Sequence, residues 1–280
     1  KVRFRQGTPE KIGGWQRISD NTFLGVCRSI WNWVTLGSQN LVGLGTNLKF
    51  YLENGGGYYD ITPLRKAAAT LGSNPFVTVS GSAIVTVTDT TGGYEVDDFV
   101  TFSGGSDVGG LDLNAEFQIT GFASATSYTI VASANATSSA TGGGSSVSAA
   151  YQINVGPAFA IPLVGWGASS WGFGAWGVGA ESVEEVRQWS QANFGEDLVF
   201  GPRGGTLFYW DASVTNSLSV RGVALSDVSG ASNVPTIQNL TLVSDISRFV
   251  FCFGCNELGS SSLNTMLIRW SDQEDATNWT

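Results

Sequence analysis

The chain has 280 residues, a net charge of −9, 13% charged residues and 37 glycines. This length suffices for one large or two ordinary domains. The acidic balance argues against a dedicated nucleic-acid binder, which would present a basic patch. The sequence contains no histidine, which excludes Ser-His-Asp and Cys-His nucleophiles, histidine-ligated zinc and histidine general bases. Abundant Gly, Thr, Ser, Val and Phe predict an all-β protein with many tight turns.

Three cysteines, Cys27, Cys252 and Cys255, do not form an even disulfide framework, which favours assembly in a reducing cytoplasm. The sequence shows neither a signal-peptide pattern nor a run of about 20 apolar residues, so we expect no membrane partner. The first residue is Lys1, and the sequence stops at Thr280 just after a strand-like run. We therefore expect this chain to be a piece of a longer polypeptide.

In chain order, residues 28–62 predict four short strands, RSIWNWV, NLVGLG, LKFYLE and YYDIT, separated by turn sequences. The scheme returns over residues 187–225 with DLVFG, TLFYWD and SVRGVAL, and a third copy begins at RFVFCFG (248–254) and continues with MLIRWSD (266–272). The second and third copies begin about 50 residues apart, as propeller blades do. Residues 1–74 and 182–280 are therefore predicted to be parts of a β-propeller.

Between the first two copies, from Pro75 to about Val155, the composition changes to Thr, Ser, Val, Ala and Gly. Segments such as SAIVTVTD, DFVTFSG and SYTIVAS alternate with the period of strands. Residues 75–155 are predicted to form an inserted β-barrel or sandwich of five or six strands. The predicted fold is thus an all-β, partial propeller with a small inserted β domain. A weak helix is predicted over residues 181–191.

Residues 156–181 are rich in glycine and tryptophan, with Trp166, Trp171 and Trp176 five residues apart and Phe173 among them. Five matches neither the helical period of about 3.6 nor the strand period of 2, so successive rings would point in different directions. We predict an ordered loop in which these four side chains dock on neighbouring surfaces between subunits or on a partner. A membrane-active loop is the alternative.

The residues offer few candidates for chemistry. Cys252 and Cys255 form a C-x-x-C inside an apolar strand, where positions i and i+3 are expected to face opposite sides and so not hold one metal. SDQEDATNW (271–279) loosely resembles the Asp-box turn of sialidase-type propellers, but Gln273 and Asp275 replace its Asp and Gly.

Four arginines near strands suggest either a cluster for an anionic sugar or ordinary salt bridges: Arg203, Arg221, Arg248 and Arg269. Three acidic groups lack the spacing of a calcium loop: Asp97–Asp98, Glu184–Glu185 and Asp272/Glu274/Asp275. No catalytic residue, cofactor site or metal site is predicted, and we expect the protein not to be an enzyme.

Four stretches carry a resemblance to a known family: VRFRQGTPEKIGGWQR (2–17), LVGLGTNLKFYLENGGGYYDITPLR (41–65), NFGEDLVFGPRGGTLFYWD (193–211) and residues 249–280. They resemble tailed-phage virion proteins, the propeller-bearing tail proteins of the nozzle, hub or DNA-stabilisation type, over nearly the whole chain. PEKIGGW and IRWSDQEDATNWT are the most specific stretches. DDFVTFSGGSDVGGLDLNAEFQITG (97–121) resembles a small β module common in phage structural proteins. Members usually continue well beyond the point where this chain stops, so further blades would be missing here.

This resemblance implies a non-enzymatic virion component, assembled in the host cytoplasm as a ring of subunits, typically six. The ring would surround the DNA ejection channel, retain or gate packaged DNA, and connect the portal-proximal adaptor to tail fibres or distal tail proteins. An acidic lining would let DNA pass without sticking. Two other functions stay open: a propeller glycosidase or depolymerase that attacks host surface glycans, and a receptor-binding module that acts through the insert.

Overall fold

The computed structural model describes residues 2–11, 13–14, 19–65, 68–156, 186 and 188–279. Regular structure in these ranges is almost entirely β, with two 3-10 helices at Ser217–Ser219 and Leu225–Asp227. The predicted all-β class is confirmed. The strands form one hairpin, one eight-stranded sheet and three four-stranded sheets. Among these residues we find no helix that could span a bilayer.

A hairpin of β1 (Val2–Arg5) and β2 (Thr8–Lys11) precedes the first four-stranded sheet. That sheet, called the first sheet below, is an antiparallel meander of β3 (Cys27–Val34), β4 (Asn40–Thr46), β5 (Phe50–Asn54) and β6 (Gly57–Asp60). Its strands lie where the alternation in residues 28–62 predicts them. Turn sequences such as Gly55–Gly56, both with positive φ, separate them.

The eight-stranded sheet follows the first sheet in the chain. Its strands are β7 (Ala69–Thr70), β8 (Phe76–Thr78), β9 (Ile84–Thr88), β10 (Phe99–Ser103), β11 (Glu116–Ser124), β12 (Ser127–Val131), β13 (Ala140–Gly142) and β14 (Ser148–Tyr151). Their order across the sheet is β13-β8-β9-β12-β11-β10-β14-β7. β7 begins ahead of Pro75, where the insert was predicted to start.

The strand pairs at the two ends of this order, β13-β8 and β14-β7, come from the same two chain segments. β7 and β8 follow each other along residues 69–78, and β13 and β14 follow each other along residues 140–151. Between them, Leu71 N donates to Val147 O and Asn74 N donates to Gly144 O, each over 2.8 Å. The sheet therefore curls around one apolar core that includes Phe76, Tyr128 and Ile130. Each of these two chain segments is divided into two strands, which explains why the sheet has eight strands and not the five or six predicted.

The second sheet contains β15 (Trp189–Phe194), β16 (Asp197–Pro202), β17 (Phe208–Trp210) and β18 (Val223–Ala224). The third sheet contains β19 (Gln238–Val243), β20 (Val250–Asn256), β21 (Leu263–Asp272) and β22 (Asp275–Trp279). Both are antiparallel meanders in chain order. The weak helix predicted over residues 181–191 is wrong at residues 189–191. Trp189–Gln191 instead belong to β15 and pair with β16. The third copy starts one strand earlier than predicted, at Gln238.

The three four-stranded sheets stack in chain order through apolar faces. Because strand residues alternate, Leu198 and Phe200 face the first sheet whereas Val199 faces the third. The core between the first and second sheets also contains Phe50 and Leu52. The core between the second and third sheets also contains Val250 and Trp279. β15, the first strand of the second sheet, lies against β3 on one side and β19 on the other.

Candidate functional site

Aromatic side chains join the first sheet to the second. The Trp189 indole nitrogen donates to the backbone oxygen of Thr46 over 2.7 Å. The ring lies directly over Gly45, where an added Cβ would come within 2.4 Å of Trp189 Cδ1. Phe50 is fully buried, with ring centroids 4.9 Å from Trp189 and 4.3 Å from Phe200. Glycine in β4 is therefore required for the close approach of the two sheets.

Five polar side chains meet where the first, second and eight-stranded sheets come together, and we call this group the charged junction. Its members are Lys49 before β5, Asp60 at the end of β6, Glu116 in β11, Gln152 after β14 and Arg221 before β18. Lys49 is 3% exposed and Gln152 is 1% exposed, so these groups are removed from water. Burial of this kind is tolerated only when opposite charges and hydrogen bonds compensate each other.

The contacts in the charged junction compensate its charges, whereas Gln152 Oε1 is buried with no hydrogen-bond partner among the described residues. Lys49 Nζ lies 2.7 Å from Asp60 Oδ2 and also donates to Glu116. Arg221 Nη2 lies 3.4 Å from Asp60 Oδ2 and 3.3 Å from Glu116 Oε2. Gln152 Nε2 donates to Glu116 Oε2 over 2.5 Å, and the Lys49 ammonium sits 4.5 Å from the Phe99 ring centroid. Two carboxylates are thus balanced by two cations that come from different sheets.

The electrostatics of the charged junction favour a structural role. Burial alone would raise the pKa of Asp60, but Lys49 and Arg221 outweigh it and hold the pKa below its ordinary value. A glycosidase acid needs the opposite, a carboxyl whose pKa is raised so that it keeps a proton near neutral pH. Asp60 instead stays ionised to lower pH than an ordinary aspartate. The junction holds the eight-stranded sheet onto the stack.

A second ion pair lies near the point where the chain returns from the eight-stranded sheet. Arg65 Nη2 contacts Asp98 Oδ2 over 2.6 Å, and Asp98 also accepts a hydrogen bond from Glu95 N. Burial raises the pKa of Asp98 in spite of Arg65. Beside it is a cavity of about 250 Å³ lined by residues of three segments, Asn47–Leu48, 95–99 and 153–156. Asp98 is therefore paired with Arg65.

The residues predicted as an interface lie outside the described residues. These are Trp166, Trp171, Phe173 and Trp176, together with nearly all of the predicted loop over residues 156–181 and the Glu184–Glu185 pair. Their role as a docking loop stays a prediction.

The C-x-x-C segment differs from its expected geometry. Cys252 and Cys255 both lie in the core between the second and third sheets, so the expectation of opposite faces is wrong. The reason is a β-bulge at Gly254, whose φ of 61° interrupts the alternation. Burial raises the pKa of the Cys252 thiol to about 12. Within the described ranges, no group of three or more His, Cys, Asp or Glu side chains could hold a metal ion.

The four arginines that suggested either a cluster or ordinary salt bridges lie at separate places. Arg221 belongs to the charged junction, and Arg248 Nη2 contacts Glu274 Oε1 over 3.2 Å. Arg269 is buried in the third sheet, where it donates to the backbone oxygens of Asn233 and Asn256. Arg203 lies just after β16, and its backbone N donates to Gln188 O. Salt bridges and backbone contacts thus account for three of these guanidinium groups.

The acidic stretch over residues 271–279 contains the end of β21, the turn at Gln273–Glu274 and all of β22. Asp275 Oδ1 accepts hydrogen bonds from Thr277 N over 2.8 Å and from Thr277 Oγ1 over 2.6 Å, and these bonds lower the pKa of Asp275. Asp272 accepts a hydrogen bond from Asn278 Nδ2, and Trp279 is buried in the core against the second sheet. Local hydrogen bonds thus explain the turn.

Sequence reasoning missed Lys49, Asp60, Glu116 and Gln152 as partners. The contacts of Glu116 with Lys49 and Arg221 join residues 67 and 105 positions apart, which no local pattern reveals. A partial signal exists in the pattern Asp-x-Thr/Ser. Asp60 Oδ1 accepts from Thr62 N over 2.9 Å and from Thr62 Oγ1 over 2.5 Å. The same paired bonds recur at Asp89/Thr91, Asp211/Ser213 and Asp275/Thr277.

Comparison with known proteins identifies no family. No family model and no curated protein matches the chain. Among solved structures, the chain is similar to the phage phi92 endosialidase with a TM-score of 0.27 and 14% sequence identity. The alignment covers 91% of this chain and 36% of that chain. The chain thus spans about a third of the length of that structure. A likeness at this level does not define a shared activity, so function has to be inferred from this chain's own residues.

Proposed function

We propose that the chain is a structural component of a phage tail that forms part of a ring, of the nozzle or hub type, around the DNA ejection channel. In this role it retains or gates packaged DNA and links the portal-proximal adaptor to distal tail parts. The observation that carries the proposal is the stacking of three sheets in chain order, because these sheets contain three of the four stretches that resemble phage tail proteins.

The stack supports a propeller arrangement. Each four-stranded sheet is an antiparallel meander, which is the connectivity of a propeller blade. The first strand of the second sheet lies between the first strands of its neighbours, as the innermost strands of blades do around an axis. We therefore assign the first, second and third sheets as consecutive blades.

The eight-stranded sheet supports an inserted barrel. Its two terminal strand pairs, β13-β8 and β14-β7, belong to the same two chain segments, and the hydrogen bonds at Leu71 and Asn74 bridge the gap between them. A sheet joined in this way has no free edge, which is how a barrel avoids edge-to-edge aggregation. We assign residues 69–151 as a small closed barrel inserted between the first two blades.

The charges of the junction support a structural role for these side chains. Asp60, the most enclosed carboxylate of the charged junction, is held as an anion by Lys49 and Arg221. A net charge of −9 over the chain suits a wall along which a phosphate backbone passes without binding. The protein is then a virion part with no cofactor and no membrane partner.

Sedimentation of Trp171→Ala and Trp176→Ala variants tests this role. We expect the oligomer to weaken by about 30-fold or more, as happens at interface hot spots, while each monomer keeps its melting temperature. A lower melting temperature with an unchanged oligomer would instead place the two rings in their own subunit's core. Liposome binding that disappears in both variants would identify a membrane-active loop. Either result would contradict the docking role.

Turnover assays test the enzymatic alternative. We expect sialosides and capsular polysaccharides to stay intact in the presence of the protein. Hydrolysis that is lost in Asp211→Asn or Asp275→Asn would overturn the structural role in favour of a glycosidase or depolymerase. A glycan array probed with the whole chain tests the receptor-binding alternative, which predicts binding without turnover.

A further inference from the structure

A groove of about 400 Å³ lies on the eight-stranded sheet between two of its connections. One wall is formed by Gly92, Gly93 and Tyr94 between β9 and β10, and the other by Phe122, Ser124 and Ala125 where β11 turns into β12. The ring centroids of Tyr94 and Phe122 are 5.9 Å apart, and the two rings are tilted by 42°. Tyr94 is buried, whereas Phe122 is 55% exposed. The groove thus has an aromatic surface that is open to a ligand.

Hydrogen bonds fix the shape of this groove. Tyr94 Oη donates to the backbone oxygen of Asp89 over 3.1 Å, and the Tyr94 ring packs 4.6 Å from the ring of Tyr128. Asp89 N donates to the backbone oxygen of Thr126 over 2.9 Å, which ties the two connections together. The aromatic surface is therefore formed before any ligand arrives, as in most small binding sites.

The side-chain hydroxyls that line the groove already have partners. Ser124 Oγ is 2.7 Å from Ser127 Oγ and accepts a hydrogen bond from Thr126 N over 3.2 Å. The Tyr94 hydroxyl donates its proton to Asp89. Within the described part of the chain, no charged side chain lines this groove. A sugar would place hydroxyl groups here without good partners, which costs binding energy. The groove instead favours a ligand with apolar rings and few hydrogen-bond donors.

The chain becomes acidic directly after the aromatic wall. Glu95 and Asp97 are exposed, and with Asp98 they line the cavity of about 250 Å³ described above. Asp98 is paired with Arg65, which leaves Glu95 and Asp97 as the negative charges nearest to Tyr94 in the chain. An acidic edge attracts a basic residue of a ligand and repels a phosphate.

We propose that this groove binds a proline-rich segment of another protein, with a lysine or arginine of that segment beside Glu95 and Asp97. Proline has an apolar ring and no backbone N–H, so it needs few partners in the groove. Proline-rich segments are already extended before they bind, and aromatic-lined grooves are a recurring way to recognise them. The groove belongs to the eight-stranded sheet, so this inference goes beyond the proposed ring role and does not depend on it.

Titration of the whole chain with short synthetic peptides, followed by calorimetry, tests the proposal. The probes are a proline-rich peptide flanked by arginine, the same peptide flanked by glutamate, and a glycine-serine peptide flanked by arginine. We expect the first to bind, the second to bind about 10-fold or more weakly, and the third not to bind. Phe122→Ala should weaken binding of the first peptide about 10-fold or more, because it removes the exposed ring. Glu95→Gln should reduce the preference for arginine and keep the preference for proline.

Ile84→Ala is the matched control. Ile84 is 54% exposed and lies on β9 opposite Val131, outside the groove. This variant should bind like wild type, and all variants should keep the wild-type near-ultraviolet circular dichroism. No binding of either proline-rich peptide, equal binding of the glycine-serine peptide, or equal losses in Phe122→Ala and Ile84→Ala would overturn the proposal.

Two further results separate this inference from its alternatives. Binding of a neutral oligosaccharide that is lost in Phe122→Ala, without peptide binding, would overturn the proposal and assign the groove to glycans. Peptide binding by a chain that sediments as a monomer would support the groove and contradict the ring. A ring that binds no peptide would keep the proposed function and remove only this inference.

Discussion

The eight-stranded sheet and the four-stranded sheets bury their apolar side chains in different ways. The eight-stranded sheet curls around its own core of residues such as Phe76, Val87 and Ile130, and hydrogen bonds join its two ends. Each four-stranded sheet is too small to enclose a core and buries its apolar faces only against a neighbour. The first region is therefore expected to fold independently, and each sheet of the second region is expected to depend on its neighbours.

The largest expected difference between the two regions is in whether an isolated fragment of each one folds. A fragment of residues 68–156 should fold alone and melt cooperatively, because its core comes from its own strands. A fragment of residues 27–62 should remain unfolded, because Phe50 and Leu52 lose the second sheet that covers them. Circular dichroism and one-dimensional proton NMR provide the measurement. An unfolded 68–156 fragment beside a folded 27–62 fragment would reverse the comparison.

Phe50→Ala should lower the free energy of unfolding of the stack by about 3–5 kcal/mol, because it removes a fully buried ring between Trp189 and Phe200. Urea unfolding followed by tryptophan fluorescence should then show the stack unfolding earlier. A second, unchanged transition should report the eight-stranded sheet. If both regions unfold together at the lower urea concentration, they form one cooperative unit.

Lys49→Met should lower the free energy of unfolding by about 2–4 kcal/mol, because Asp60 and Glu116 lose a buried cation but retain some contact with water. The loss should appear as easier release of the eight-stranded sheet, measured by hydrogen exchange at the edges of β10 and β14. Arg3→Met, which breaks an exposed pair with Glu10, is the control and should change stability little. Equal effects of the two variants would remove the junction's structural role.

Gly45→Ala should cost about 1–3 kcal/mol, because the new Cβ would meet the Trp189 ring at 2.4 Å. Gly72→Ala is the matched control, since nothing lies within 4 Å of a Cβ at Gly72. It should change the free energy of unfolding by less than about 0.5 kcal/mol. Thermal melts of both variants give the comparison, and a neutral Gly45→Ala would show that the sheets are packed less closely.

Acid should destabilise the fold through Asp60 in the charged junction, whereas protonation of Asp98 should not destabilise it. The pKa of Asp60 is below 3.8 in the folded state, so its contribution is present above that unfolded value and is lost as pH falls through the folded pKa. The pKa of Asp98 is raised, so Asp98 contributes in the opposite sense as pH falls. Urea unfolding between pH 7 and pH 3 should lose less stability in Lys49→Met than in wild type. An equal loss of unfolding free energy between pH 7 and pH 3 in the two proteins would contradict this account.

The sequence predicts the local features and misses the contacts between distant segments. Alternation and turn chemistry locate the strands of the first sheet, because NGGG and LGSQ satisfy turn geometry on their own. The bulge at Gly254 was not predicted, because a glycine within an apolar run does not by itself indicate a left-handed φ. The charged junction was missed, because Lys49 and Glu116 meet only after two sheets have docked.

Cryo-electron microscopy of the purified chain tests the central claim most directly, that its sheets are made for assembly into a ring. We predict particles in which the four-stranded sheets surround a central channel, with the eight-stranded sheet projecting from each copy as a separate density. Dispersed monomers with no central channel, even at high protein concentration, would contradict the account.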